Sequence, residues 1–457
     1  MESPAGMFRN IFFIGIAGSG MSALAQYLKE AGLTVSGSDR FFGTGEAGLV
    51  RQKLERQGIA CNEQDGSGIT GETQLVVASS AVEETVIEIR KARQLGIPVM
   101  RRAELLALIA KSRKTIAIGG TSGKSTTVGM LFTILQHAGL DPGVITGAGL
   151  VTLMKEGKIG NARMGNGEWL IIEADESDGS IVHYEPEIGV LLNVDRDHQE
   201  ISQLMELFSV FSRNSRRFIV NVSHPLAATF SRDPAANFGI DGGEAGFVSH
   251  KFRQQGLGIQ FEINGIPFEI GLVGEHNMEN ALAAAAAAAA VGVELSKSSE
   301  ALRHYEGIYR RHQVLGKKNG VWVVDDFAHN PVKCAAAIRA CQPIASKVVA
   351  WFQPHGYGPT RFLRQDFVRE IAEALREKDE IWMSEIFYAG GTTTKNISAA
   401  DLVNDIRALG KKAFFVGDRK ELLPALRPHL VGDCVLLLMG ARDPSLEEFA
   451  AKIWDEL

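Results

Sequence analysis

"IAIGGTSGKSTTVGM", Ile116 to Met130, runs from an apolar stretch through glycines into lysine, serine and a helix-forming stretch. A short buried strand that ends in glycines and hands over to a helix is a phosphate-binding arrangement. Gly120, Thr121, Ser122 and Gly123 offer main-chain N–H groups. Lys124 offers a cation for phosphate, and Ser125 a hydroxyl for magnesium, with Thr126 next to it. A Walker loop also carries a glycine five residues before Gly123, where Ile118 stands, so the loop is a variant. The loop by itself allows a switch, a phosphate donor to a hydroxyl, or the activation of an acid.

Upstream, residues 8–110 alternate apolar runs ("IFFIGIAG", "LTVSGSD", "QLVVASSAV") with helical patterns such as "MSALAQYLKEAG", which Gly32 stops. This alternation predicts a parallel sheet with helices on both faces. Downstream, "EWLIIEADESD", "EIGVLLNVDRDH" and "RRFIVNV" continue a second α/β section. "GIQFEINGIPFEIG" then alternates with period two around Asn264-Gly265 and predicts a hairpin, so this section contains some antiparallel sheet. From Gln313, strands at "VWVVDDFAH", "SKVVAWFQPH", "KDEIWMSEIF", "KKAFFVG" and "DCVLLLMGA" predict a third α/β section. The expectation is three α/β domains in series, covering residues 1–110, 111–312 and 313–457. The outer two are Rossmann-like and the middle one carries the phosphate loop.

Bulk properties agree. A chain of 457 residues exceeds one hydrophobic core. Hydrophobic residues make up 45% and charged residues 22%, as in ordinary globular proteins, and a net charge of -6 excludes a broad basic face for nucleic acid. The four cysteines form no C-x-x-C pair and read as small buried residues of a reducing cytosol. The apolar N-terminal run resembles a signal peptide, but Gly15, Gly18 and Gly20 make it strand, turn and helix. The alanine-rich run Ala281–Val293 is too short to span a bilayer, so a cytoplasmic protein without membrane insertion is expected. The sequence specifies no oligomeric state.

Several other stretches carry chemistry. "GIAGSG", Gly15 to Gly20, lies between strand and helix and suits a diphosphate. Asp39 follows about twenty residues on, where an acid binds ribose. The spacing G-x-x-G-x-G departs from the NAD fingerprint, so a sugar nucleotide is as good a ligand. A turn that needs its glycines only for packing is the plain alternative. "EADESD" and "NVDRDH" place Glu173, Asp175, Glu176, Asp178, Asp195, Asp197 and His198 at strand ends beside the loop, where acids hold magnesium. Glu173 and His198 are the expected metal contacts, and Asp178 reads as a turn cap. In "GEHNMENALAA", Asn277 and Asn280 suit an adenine edge, with helix capping as the alternative for Asn277. Arg310 and Arg311 precede the third domain, where a cation can reach a γ-phosphate. Asp326, His329 and His355 follow third-domain strands and face the expected interdomain cleft. The two histidines lack the local spacing of a zinc site.

In order along the chain, "GIAGSGMSALA", "SGSD", "SSAV", "GTSGKSTT", "EADESD", "NVDRDH", "GEHNMENALAA", "RRHQ", "DDFAHNP" and "FQPHGYGPT" resemble the Mur ligases of peptidoglycan synthesis, over about residues 9–445. The resemblance is greatest to the branch that adds L-alanine to UDP-N-acetylmuramate. It implies ATP and magnesium, and partners UDP-N-acetylmuramate and an amino acid. It also implies an acyl phosphate that the amine resolves. By resemblance, Gly15, Gly18, Ser19 and Gly20 lie at the UDP diphosphate, with Asp39, Ser79 and Ser80 near uridine. Gly120 to Thr126 hold ATP. Ser125, Glu173 and His198 hold magnesium. Asn277, Asn280, Arg311 and Asp326 contact ATP, Asp326 on its ribose, and His329 and His355 sit by the amino acid.

The chain departs from the family pattern where the alanine-adding enzymes read "FQPHRYTRT". Here Gly356 and Pro359 replace two arginines, Ser122 replaces a histidine, Phe327 a tyrosine, and "GARD" brings in Arg442. A recycling ligase that adds a ready-made peptide, or a relative with another amino acid, is the neighbouring expectation. A nucleotide-binding regulator without catalysis is the distant one, opposed by the intact lysine, acids and histidines.

Overall fold

A computed structural model describes residues 4–43, 47–79, 82–196, 199–241, 244–388, 394–443 and 445–457. The first sheet comprises β1 (Asn10–Ile14), β2 (Thr34–Ser38), β3 (Ala60–Asn62), β4 (Leu75–Ala78) and β5 (Val99–Arg101), ordered β3-β2-β1-β4-β5. Every pairing in it is parallel. Ile11 and Phe13 point into one core, Phe12 and Ile14 into another. Both faces are therefore covered, which is why β1 reads as an unbroken apolar run rather than an alternating one. The strand order reverses between β1 and β4, and such a switch point opens the crevice where open α/β sheets take ligands.

The second sheet comprises β6 (Lys114–Gly119), β7 (Gly143–Ile145), β8 (Ala162–Arg163), β9 (Trp169–Glu173), β10 (Ile188–Leu191) and β11 (Arg217–Val220), ordered β11-β10-β6-β9-β7-β8. Only the β7–β8 pairing is antiparallel. β6 lies between β9 and β10, so its glycine loop opens beside the ends of both. A third sheet has the order β12-β13-β14-β15, from β12 (Phe238–Ile240), β13 (Phe247–Gln255), β14 (Gly258–Ile263) and β15 (Ile266–Ile270). Asn264 and Gly265 take φ of 48° and 81°, the left-handed pair that the predicted hairpin turn requires.

The fourth sheet comprises β16 (Gln313–Lys318), β17 (Val321–Asp326), β18 (Lys347–Gln353), β19 (Glu380–Met383), β20 (Lys412–Phe415) and β21 (Cys434–Gly440), ordered β16-β17-β21-β18-β19-β20. Its edge strand β16, which the sequence reading did not pick out, runs antiparallel to β17. Along β21, Val435, Leu437 and Met439 enter one core, and Leu436 and Leu438 the other.

By compactness the chain divides into two units, 1–251 with 261–268 and 279–309, and 252–260 with 269–278 and 310–457. The first two sheets share the first unit. Within it, buried Asn161 donates to the Ser19 carbonyl (2.7 Å) and Ser22 Oγ (3.0 Å) and accepts from Gln26 (2.7 Å). A buried amide with its hydrogen bonds met fixes the helix Ser19–Glu30 to the loop before β8, and its removal strands several polar atoms. The alanine-rich segment is the helix Glu275–Ala289, with Ala281 to Ala288 buried. Cys334 and Cys341 are both buried in the helix Pro331–Cys341. Among the described residues no helix is long and apolar enough to cross a membrane.

Candidate functional site

β6 ends at Gly119, and the helix Lys124–His137 begins five residues later. Gly123 is its N-cap at φ 83°, a left-handed conformation that L side chains rarely adopt. A Cβ there would also collide with Asn280 Oδ1. Asn280 thus backs the loop from the helix Glu275–Ala289, and its Oδ1 also accepts from Thr127 Oγ1 at 3.3 Å. Asn193, at the end of β10, staples the loop from the other side. Its Oδ1 accepts from Ser122 N–H (2.9 Å) and Thr121 Oγ1 (2.9 Å), and its Nδ2 donates to the Ser122 carbonyl (3.2 Å). Sequence reasoning named the motif that Asn193 opens but not Asn193 itself. The signal was an amide at a strand end next to the loop strand.

Lys124 Nζ donates to the Gly120 carbonyl (2.7 Å) and to Glu176 (2.6 Å), with Asp175 at 3.9 Å. Burial opposes its charge, but the carboxylates of Glu176, Asp175 and Glu173 outweigh burial and hold its pKa above the ordinary lysine value. Burial in turn raises Glu176, with Lys124 working against it. Lys124 is therefore a charged group at neutral pH, aimed along the loop by an acid. Glu176, first read among the acids available to a metal, is the lysine's counter-ion instead.

Glu173, the last residue of β9, collects hard donors. Its carboxylate accepts from Ser125 Oγ (3.0 and 3.1 Å), Thr146 Oγ1 (2.7 Å) and Gly147 N–H (2.9 Å). Ser125 and Glu173 are thus brought together as expected, and Thr146 is an addition the sequence did not signal. Among the described residues no group of three or more His, Cys, Asp or Glu converges on one point. Glu173 with Ser125 is a carboxylate and a hydroxyl side by side, hard oxygen donors of the kind that hold magnesium. His198 lies outside the described residues. Asp178 caps a turn as expected, accepting from Ser180 N–H at 3.0 Å, and it also pairs with Arg102 at 2.6 Å.

At the end of β1, Gly15 N–H and Ile16 N–H donate to the Ser38 carbonyl, and Gly18 caps the helix Ser19–Glu30. Asp39 is 5% exposed, and its carboxylate accepts from Ala17 N–H (3.0 Å) and Phe41 N–H (3.0 Å). It pins this glycine loop. Ser79 lies near Gly15, its Oγ 3.9 Å from where a Gly15 Cβ would stand. Ser80 lies outside the described residues.

In the second unit, Arg310 is spent on structure. It forks onto buried Asp325 (2.8 and 3.2 Å) and reaches the Gly440 carbonyl (3.1 Å). The expectation that Arg310 reaches a phosphate is corrected by this pairing. Arg311 lies 4.8 Å above the Phe327 ring. Asp326 accepts from His312 N–H (2.6 Å) and Ala328 N–H (2.7 Å) and pairs with the His312 ring (3.1 Å). The His312 and His276 rings are 5.0 Å apart, and burial, helped by His312, lowers His276 to about 3. Asn277 donates to the Val273 carbonyl at 2.7 Å. His329 and His355 meet with ring centroids 5.6 Å apart. The Phe327 carbonyl lies 2.9 Å from His329 Nδ1. A carbonyl only accepts, so Nδ1 carries the proton of that contact. Gly356 takes φ 72° and ψ 120°, and a Cβ there would press on the Pro359 ring at 3.3 Å. The two departures from the family motif therefore act together, because this backbone disfavours any side chain at 356.

A central parallel strand ending in a lysine-bearing glycine loop, with acids at the neighbouring strand ends, defines an α/β enzyme that binds nucleotide phosphates. Three family models match successive stretches: "Mur ligase family, catalytic domain" over residues 10–114, "Mur ligase middle domain" over 118–288, and "Mur ligase, glutamate ligase domain" over 310–442. A UDP-N-acetylmuramate–L-alanine ligase of Pelotomaculum thermopropionicum is 33% identical, with 95% of each chain covered. The chain belongs to the Mur ligase family. Among solved structures, a UDP-N-acetylmuramate–alanine ligase from Thermotoga maritima superposes with TM-score 0.79 at 24% identity, covering 98% of each chain. A murein peptide ligase from Psychrobacter arcticus does so with TM-score 0.69 at 20% identity, also covering 98% of each. At these identities the two structures speak for the three-domain α/β fold.

Proposed function

We propose that the protein is an ATP-dependent ligase that joins an amino acid, L-alanine by preference, to the lactyl carboxylate of UDP-N-acetylmuramate in the cytoplasm. The observation that carries the chemistry is the buried, acid-aimed Lys124 beside the Ser125–Glu173 pair. A phosphate loop with a fixed cation and a magnesium-competent carboxylate suits phosphoryl transfer.

In this reading residues 1–110 hold the UDP-sugar, 111–312 hold ATP, and 313–457 hold the amino acid. The loop N–H groups of Gly120 and of Gly123 to Ser125 seat the phosphates, those of Thr121 and Ser122 being held by Asn193, with Thr126 following in the helix. Lys124 leaves Glu176 for the transferring phosphoryl group. Ser125, Glu173 and His198 would hold Mg2+, which when bound shares the phosphate charge. Asn277, Asn280, Arg311 and Asp326 would contact the nucleotide. A substrate carboxylate oxygen attacks the γ-phosphorus, ADP leaves, and an acyl phosphate forms. The amine nitrogen then attacks the carbonyl carbon, phosphate departs, and the amine proton passes to a base. The family resemblance supports His329, which neighbours His355, as that base.

The amine is read by a motif without its two arginines. Charge-assisted bonds contribute about 1.5–3 kcal/mol each, so an anionic acceptor group is held less tightly here. A panel of amino acids and of L-alanyl peptides, assayed for phosphate release with ATP, Mg2+ and UDP-N-acetylmuramate, decides. Release with L-alanine supports the proposal. Release only with a peptide selects the recycling reaction. ATP binding without release for any amine would rule out the ligase reading.

A further inference from the structure

Arg102 opens the helix Arg102–Lys111, yet its side chain lies on another helix. A Cβ on Gly20 would stand 3.0 Å from Arg102 Cδ and 3.2 Å from its Nη1. The guanidinium therefore crosses the first turn of the helix Ser19–Glu30. By itself this is an unfavourable place for a cation. The turn carries the positive end of the helix dipole and N–H groups with no partner inside the helix. Gly18 supplies no side-chain cap, and no acid occupies that turn.

Two positive features on one spot specify an anion. The anion present is Asp178, whose Oδ2 accepts from Arg102 Nη2 at 2.6 Å. Asp178 does not belong to the glycine loop. It comes from the acidic loop after β9, the same loop whose Glu176 holds Lys124. Its Oδ1 is separately engaged with Ser180 N–H, and the ion-paired side chains keep 20% and 26% exposure. The pair can open without unfolding the turn.

We propose that Arg102 is the side-chain cation of the diphosphate subsite and that Asp178 is its resting counter-ion, displaced when a nucleoside diphosphate arrives. This rests on the reading of the first domain as the UDP-sugar domain. The main-chain N–H groups hold one phosphate, and the arginine fork supplies charge for the second.

The test is calorimetric titration of the full-length protein with UDP and with UMP. For Arg102→Ala, UDP binding weakens about ten-fold or more while UMP binding changes less than about two-fold. Arg102→Lys, which keeps charge without the fork, falls between. For Asp178→Asn, UDP binding tightens about three-fold, because the arginine no longer has to leave a carboxylate. Thermal unfolding and binding of an ATP analogue check that the variants are folded. If Arg102→Ala fails to fold, the Lys variant and the sign for Asp178→Asn decide. A purely structural clasp weakens UDP in both Arg102→Ala and Asp178→Asn, and that result overturns the proposal. So does wild-type binding of UDP that Arg102→Ala leaves unchanged. Failure of the wild-type protein to bind UDP overturns the reading of the first domain as well.

Discussion

The two glycine loops of the first unit are built alike and charged differently. Each follows a buried parallel strand and caps a helix with glycine, Gly18 in one and Gly123 in the other. The second loop carries its own cation, Lys124, at the first helical position, with an acid to aim it. The first has no basic side chain between Gly15 and Gly20 and is approached by Arg102 from a different helix. The second loop is braced as well. Asn193 holds its main chain and Asn280 fills the space beside Gly123. A loop that acts on a transferring phosphoryl group needs a fixed charge before the reaction begins. A loop that only holds a diphosphate can borrow one.

Substitutions can break this contrast. Lys124→Ala is expected to lower turnover about 10³-fold or more, with UDP-sugar binding unchanged by calorimetry. Retained activity would put the chemistry elsewhere. Glu173→Gln removes the charge but keeps the shape of the Ser125 and Thr146 partner. Its turnover should fall about 100-fold, with the Mg2+ requirement moved to higher concentration in a metal titration. An unshifted Mg2+ curve would assign the metal to other groups. Asn193→Ala should raise the KM for ATP about ten-fold with a smaller change in kcat, because it loosens the braced loop without touching Lys124. The last comparison is of stability. Gly123→Ala meets both a left-handed backbone and Asn280, and should cost about 2–4 kcal/mol in chemical denaturation. Gly20→Ala meets only the flexible Arg102 side chain and should cost less than about 1 kcal/mol. Equal costs would mean that the two loops are braced alike.

The sequence made the parts visible that are contiguous. Lys124, Ser125 and their glycines sit in one run whose order alone implies a phosphate loop, and β1, β6 and β21 are buried on both faces and read as apolar runs. Less visible were strands whose residues face water or an edge. β13 ("FVSHKFRQQ") and β16 ("QVLGKK") are too polar to stand out before their partners are known. Partnerships across the chain were hidden for the same reason. Nothing local ties Arg102 to Asp178, or Asn161 to Gln26, and Arg310 resembled a phosphate contact until Asp325 was seen beneath it. Gly356 shows the reverse case. The motif gave the missing arginine, and the backbone at φ 72° explains why glycine stands there.

The central claim is that a carboxylate is activated as an acyl phosphate at the Lys124 loop. It is tested by running the reaction with UDP-N-acetylmuramate labelled with 18O in its carboxylate and analysing the released phosphate by mass. The account predicts one 18O per phosphate, since the oxygen that attacks the γ-phosphorus leaves with it when the amine attacks carbon. Unlabelled phosphate, released alongside amide product, would contradict it.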